Sequence, residues 1–171
     1  IFNQTSGNTI DIDGGTITGR VGILSVTGKT CTVDISGGTF TTTGVSIQSN
    51  GGGMALTISG GTLTGDGVNF NRNTDSTVAG DTLTMTGGTI NASSCGISNN
   101  GSSTVGTTMT ITGGTINGGD ATAAGIYHAG PGTLTVGVEN HPDSHTCPTI
   151  SGATGIEMRA GTLNLYCGNI T

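Results

Sequence analysis

Apolar and small polar residues alternate along most of this chain. In "ALTISG", Leu56 and Ile58 fall on one side while Thr57 and Ser59 fall on the other. A period of two is the period of a β-strand, so strands rather than helices are expected to carry the chain. Glycine doublets interrupt the alternation at regular places, in "DISGGTFT" from residue 34, "TISGGTLT" from 57, "TMTGGTIN" from 84 and "TITGGTIN" from 110. The apolar residue ahead of each doublet marks the phase: Ile12, Ile35, Ile58, Met85 and Ile111, at intervals of 23, 23, 27 and 26 residues. Weaker copies follow at Val136 in "GTLTVG" and Leu165 in "GTLNLYCGNIT", after steps of 25 and 29. A second phrase also recurs once per turn, as "VGILSV", "GVSIQSN", "GVNFNRN", "GISNNG", "GIYHAG" and "GIEMRAG".

Self-similarity at such a period is the mark of a solenoid. A turn of 23 to 29 residues holds two or three short strands, each hydrogen-bonded to its copy in the next turn about 4.8 Å away. The expected fold is therefore all-β, a parallel β-helix of six to seven turns spanning residues 1–171 as one segment, a rod on the order of 30 to 35 Å long. The doublet marks a bend where a side chain would collide or where φ is positive. Stacking predicts inward columns: Ile17, Phe40, Leu63, Ile90 and Ile116 in one; Ile10, Val33, Leu56, Leu83, Met109, Leu134 and Leu163 in another; Val45, Val68, Ile97, Ile126 and Ile156 in a third. The extra length of the sixth turn, within "GVENHPDSHTCPTISGA", is read as a loop over 137–149 pushed out of the coil.

Composition narrows the function. Only 8% of the 171 residues are charged and 3% aromatic, with 34 Gly and 3 Pro, a profile that suits neither a conventional globular core nor a charge-rich disordered chain. A net charge of -6, with Arg20, Lys29, Arg72 and Arg159 the only strong cations, argues against a nucleic-acid partner, which needs clustered Lys and Arg. No run of 18 apolar residues is long enough to span a membrane as a helix. The chain starts without Met, lacks a signal peptide and shows no capping helix, which reads as a piece of a longer protein or one with an end-to-end partner.

The phrases "ISGGTF", "TISGGTL", "MTGGTIN" and "ATGIEMRAGTLNL" resemble the Gly-Gly-Thr repeats of large bacterial cell-surface proteins, common in gut Firmicutes, with right-handed parallel β-helices of the pectin-lyase-like superfold. The resemblance covers essentially the whole chain. It implies a right-handed coil and a secreted or wall-attached protein used in adhesion or binding. The superfold also hosts lyases and hydrolases, and no catalytic motif of theirs is matched here.

Candidate chemistry falls in five places. Asp11 and Asp34 stack in the column alignment, with Asp13 beside them, and paired carboxylates serve acid–base catalysis or hold Ca²⁺. No Arg or Lys joins them, since Arg20 and Lys29 lie in bends, so a polysaccharide lyase or hydrolase is the enzymatic alternative rather than the leading reading. Glu139, His141, Asp143 and His145 in the loop are a candidate Zn²⁺ set without an established ligand spacing. Cys147 and Cys167, in neighbouring turns, are the candidate disulfide, whereas Cys31 and Cys95 are two turns apart on different phrases. No cofactor is otherwise expected. The outward residues of the second phrase vary most: Ser46, Gln48, Asn69, Asn71, Ser98, Asn100, Tyr127, Glu157 and Arg159. A variable face on a fixed scaffold suits binding, with Tyr127 stacking on a sugar and Asn71, Asn100, Glu157 and Arg159 bonding its hydroxyls. Finally, Thr16, Thr39, Thr62, Thr89 and Thr115, with Thr18, Thr41, Thr64, Asn91 and Asn117 two residues on, form ladders that resemble the ice-binding faces of β-solenoid antifreeze proteins. The leading expectation is a non-catalytic extracellular segment, a stiff stalk or an adhesion module for a glycan or host protein.

Overall fold

The computed structural model describes residues 1–72, 77–102, 104–119, 121–140 and 146–171. They form a parallel β-solenoid with three strands per coil and no helix among the described residues. Coil 1 holds β1 (Phe2–Asn3), β2 (Asn8–Ile12) and β3 (Thr16–Gly19); coil 2 holds β4 (Ile23–Ser25), β5 (Cys31–Ile35) and β6 (Thr39–Thr42). Coil 3 holds β7 (Ile47–Asn50), β8 (Met54–Ile58) and β9 (Thr62–Gly65); coil 4 holds β10 (Val68–Asn71), β11 (Thr82–Met85) and β12 (Thr89–Ala92). Coil 5 holds β13 (Ile97–Asn99), β14 (Thr107–Ile111) and β15 (Thr115–Asn117), and coil 6 holds β16 (Ala124–His128), β17 (Gly132–Val136) and β18 (Thr149–Ser151). Coil 7 closes with β19 (Thr154–Met158), β20 (Thr162–Leu165) and β21 (Asn169–Ile170). The first strands of the coils make sheet A, the second sheet B and the third sheet C, each with seven strands, so the chain completes about six turns.

The phase residues stack one above another in sheet B, Ile12 on Ile35, Ile58, Met85, Ile111, Val136 and Leu165. The columns from Ile17 to Ile116 in sheet C and from Ile10 to Leu163 in sheet B also hold as expected. Ile58, Leu63, Ile90, Met109 and Ile116 are wholly buried. Each such side chain gives about 1.5–3 kcal/mol on leaving water, and the narrow interior is filled by these columns.

The third column needs a correction. Ile47, not Val45, pairs with Ile23 below and Val68 above. Val45 precedes the strand and is half-buried, and Ser46, expected on the outside, is wholly buried. The bend of coil 3 is two residues longer than that of coil 4, so aligning Gly44 with Gly67 misplaces the strand. Ser46 can enter the interior because its Oγ is 3.1 Å from Thr42 Oγ1 and its backbone N–H donates to the Gly67 carbonyl. The sixth-turn excursion is likewise shorter than expected. Strand β18 begins at Thr149, and Ile150 takes a core place between Ile116 and Ile170, so residues 137–148 separate β17 from β18.

The two glycines of a doublet meet different demands. The second has positive φ: 79° at Gly15, 82° at Gly38, 80° at Gly61, 79° at Gly88 and 87° at Gly114. The first has an ordinary φ, but from coil 2 onward a Cβ there would strike the backbone carbonyl of the coil below, as Gly60 would strike Ser36.

Candidate binding face on sheet A

The outward side of sheet A carries one column of side chains in register, Leu24, Gln48, Asn69, Ser98, Tyr127 and Glu157. Parallel pairing sets these about 4.8 Å apart along the axis, so coil-to-coil differences in sequence appear as neighbouring patches on one flat face. Glu157 lies directly opposite Tyr127, and Arg159, just past the end of β19, emerges on the same side. Its Nε donates to Glu157 Oε1 at 2.7 Å, and its guanidinium carbon stands 5.4 Å from the centre of the Tyr127 ring. The side chains remain 64% and 35% exposed at Arg159 and Glu157, so this trio faces solvent. The hydrogen bond that Arg159 donates to the Glu157 carboxylate raises the Arg159 pKa further, and the guanidinium is charged throughout the physiological range.

Three of the five expected binding residues are thus brought together. Asn71 belongs to coil 4, two coils from Tyr127, and Asn100 to coil 5, in the neighbouring coil but just past the end of β13. Asn71 is half-buried beside Asn50, whose Oδ1 accepts from Gln48 Nε2 at 2.9 Å, and Asn100 is exposed. Within the column, the buried Oδ1 of Asn69 has no hydrogen-bond partner among the described residues. Arg159 covers one face of Tyr127, so a sugar stacks on the ring only from the other face or by displacing the guanidinium.

The remaining candidates lie elsewhere. Asp11 and Asp34 are in direct register on the outer face of sheet B, followed by Thr57 in the next coil; Asp13, exposed, lies just beyond β2. No Lys or Arg occurs in β2, β5 or β8. Of the loop set, Glu139 is exposed, and His141, Asp143 and His145 lie outside the described residues. Among the described residues, no three His, Cys, Asp or Glu converge as a metal site would require. Cys147 and Cys167 form a disulfide with Cα atoms 5.7 Å apart, while Cys31 and Cys95 are free. Sheet C presents two outward ladders in register, Thr16 to Thr149 and Thr18 to Ser151, and none of its strands carries a charge. The second ladder bonds to itself in its later coils, where Asn117 Nδ2 donates to Asn91 Oδ1 and Ser151 Oγ to Asn117 Oδ1, both at 2.7 Å.

A polar seam inside the solenoid has no counterpart in the sequence reading. The second inward position of sheet A is held by Asn3, Ser25, Ser49, Asn99 and His128, all buried, with Phe70 interrupting. These side chains tie sheet A to the bend leading into sheet B. Asn8 Nδ2 donates to Asn3 Oδ1 at 2.6 Å, Thr107 Oγ1 to Asn99 Oδ1 at 3.2 Å, and Asn99 Nδ2 to the Pro131 carbonyl at 3.3 Å. Asp81 and Arg72, from the long bend of coil 4, are also buried; Arg72 donates to the carbonyls of Ala79 and Val78, each at 2.8 Å. Burial pushes the Asp81 carboxyl up, against hydrogen bonds from Ser49 and the Met54 amide and the charge of Arg72. Burial also pushes the His128 pKa down, so the ring is neutral at pH 7. The signal in the sequence was the polar residue two after Ile23, Ile47, Ile97 and Ile126, which simple alternation shares with any solvent-facing position.

Near coil 1, an open groove of about 240 Å³ runs between Asn8, Thr30, Thr32 and Ala55, over Cys31. Burial raises the pKa of that thiol, which keeps it protonated and a poor nucleophile at pH 7.

The fold and its faces define a class, the parallel β-solenoids with three sheets. No known protein family, curated protein or solved structure matches this chain.

Proposed function

We propose that the chain is a non-catalytic segment of a bacterial cell-surface or secreted protein of the Gly-Gly-Thr repeat kind, binding a glycan or a host protein through the outer face of sheet A. The observation that carries this reading is the cluster of Tyr127, Glu157 and Arg159, in which an aromatic ring, a carboxylate and a guanidinium meet on the exposed face of sheet A. Such groups offer stacking and directional hydrogen bonds without a deep pocket. The disulfide agrees with an extracellular setting, because such bonds persist where the environment is oxidising. A glycan array and pull-down with the 171-residue chain test the reading, with Tyr127→Ala and Arg159→Ala expected to abolish the signal. A chain that binds nothing in either assay is a spacer, and the binding role falls. The hydrolase or lyase alternative rests on the Asp11–Asp34 pair alone; release of oligosaccharides from pectin-like polymers, lost in Asp34→Asn, would establish it in place of the binding role.

A second reading is favoured by sheet C, whose Thr ladders make a flat, uncharged hydroxyl and methyl array suited to ordered water. Thr is also the ordinary outward residue of a strand, and the self-bonded Asn91, Asn117 and Ser151 offer water less in the later coils. Thermal hysteresis that disappears in Thr39→Lys would support ice binding, and its absence in the unmodified chain removes it.

A further inference from the structure

Sheet B carries a stricter threonine array than sheet C. Its middle outward column runs Thr57, Thr84, Thr110 and Thr135 over coils 3 to 6, each in direct register with the next. Beside it, Thr82, Thr108 and Thr133 stack in the same way. Pairing continues one residue past β11 and β14, where the backbone N–H groups of Thr86 and Thr112 donate to the Ile58 and Met85 carbonyls. Coils 4 and 5 therefore each present three alternate threonines, in "TLTMT" and "TMTIT". Strand geometry sets the spacing of this net, about 4.8 Å from coil to coil and roughly 6.6 Å between alternate residues of one strand.

The net is neutral and its hydroxyls are not engaged by the protein. Strands β8, β11, β14 and β17 carry no charged and no aromatic residue, and the middle column turns acidic only at Asp34 and Asp11, in coils 2 and 1. The side chains of Thr57, Thr82, Thr84, Thr108 and Thr110 make no hydrogen bond to a described residue, whereas Asn91, Asn117 and Ser151 of sheet C bond to one another. Thr82, Thr84 and Thr108 are exposed. Branching at Cβ restricts χ1, so the methyl and hydroxyl of each residue take few orientations.

A protein partner is gripped through aromatic and arginine anchors, and these strands offer none. A lattice of water has other needs. Each hydroxyl both donates and accepts, each methyl borders water without binding it, and a charged group would impose a hydration shell of its own. Ice presents oxygen atoms that recur in two dimensions at distances comparable with those of the net, so weak contacts add along and across the strands.

We propose that the outer face of sheet B over coils 3 to 6, rather than sheet C, is an ice-binding face. Ordered water as the ligand rests on the second reading of function; the face that holds it is a different one.

Thermal hysteresis of the 171-residue chain tests the assignment, with Thr84→Lys in sheet B beside Thr39→Lys in sheet C. The expected result is hysteresis in the unmodified chain that falls to background in Thr84→Lys and persists in Thr39→Lys. Every other pattern overturns the proposal. Loss in Thr39→Lys alone returns the role to sheet C, equal behaviour of the two variants removes the assignment to one face, and no hysteresis in the unmodified chain removes ice binding altogether. Both positions are exposed, so the melting temperatures should stay close to that of the unmodified chain. Should Thr84→Lys fail to fold, Thr108→Lys, exposed in the adjacent column, gives the same test.

Discussion

Ser49 in coil 3 donates its hydroxyl to Asp81 Oδ1 in coil 4 at 2.7 Å, inside the solenoid. The same oxygen accepts the Met54 backbone N–H at 2.9 Å, while Oδ2 has no hydrogen-bond partner among the described residues. One carboxylate oxygen thus holds two elements, and the other makes the charged form costly. Asp81→Ala, which strands both donors, is expected to cost about 1–3 kcal/mol in chemical denaturation. Asp81→Asn keeps an oxygen for both and should cost less than Asp81→Ala. Equal losses in the two variants would show that these hydrogen bonds do not matter.

The raised pKa of Asp81 gives a pH dependence of unusual sign for an acid. Between the ordinary value near 3.8 and its higher folded value, the folded chain binds more protons than the unfolded one. The contribution of Asp81 to stability is therefore greatest at low pH and falls as pH rises through the folded pKa. Asp81→Asn should remove this component from a plot of stability against pH, and a parallel plot for the variant would refute the assignment.

His128 acts in the opposite direction. Its Nδ1 is buried without a hydrogen-bond partner among the described residues, and Asn99 Nδ2 lies 3.4 Å from Nε2. A folded pKa below 6.5 means that the unfolded chain takes up a proton first as pH falls, so stability should decline below about pH 6.5. His128→Asn, matching Asn99 one coil below, is expected to flatten that decline at the expense of some packing. Thermal melts between pH 7 and 4.5 read the slope; an unchanged slope in the variant would remove His128 as its source.

The repeat was legible because one constraint is written many times. An Ile, Val, Leu or Met at each phase position and a doublet after most of them fix the register of sheets B and C, and the coordinates repeat it from Ile12 to Leu165. Sheet A was harder to read. Its inward column alternates Ile47 with Ser49 and Ile97 with Asn99, and a buried polar residue looks like an exposed one until its partner is known. Asp81 was invisible for the same reason, since Ser49 lies 32 residues away and nothing local records the bond. On the candidate face, Tyr127 and Glu157 could be placed together by counting turns. That Arg159 would fold back over the ring could not, because the choice depends on side-chain torsions in solvent.

Binding and stability should separate on that face. Tyr127, Glu157 and Arg159 interact on an exposed surface, where water screens the ion pair. Arg159→Ala and Glu157→Ala are expected to leave the melting temperature almost unchanged. Glu157→Ala releases Arg159 Nε from its carboxylate, so an acidic ligand should bind more tightly to that variant and a neutral one should not. A large fall in melting temperature for either variant would mark the trio as structural.

Three glycines separate the two demands of the bend. Gly14, in coil 1, has an ordinary φ and open space around its Cβ position, so Gly14→Ala should be neutral or slightly stabilising through the unfolded chain. Gly15 has the same open space but φ of 79°, and Gly15→Ala isolates backbone strain, about 1 kcal/mol. Gly60 has an ordinary φ but lies against the Ser36 carbonyl of the coil below, so Gly60→Ala isolates the clash, with an expected loss of about 1–3 kcal/mol. The order Gly14, Gly15, Gly60 in rising cost follows only if close stacking of coils, rather than φ alone, selects the first glycine of each doublet. Denaturant midpoints of the three variants would decide it, and equal costs at Gly14 and Gly60 would overturn the stacking argument.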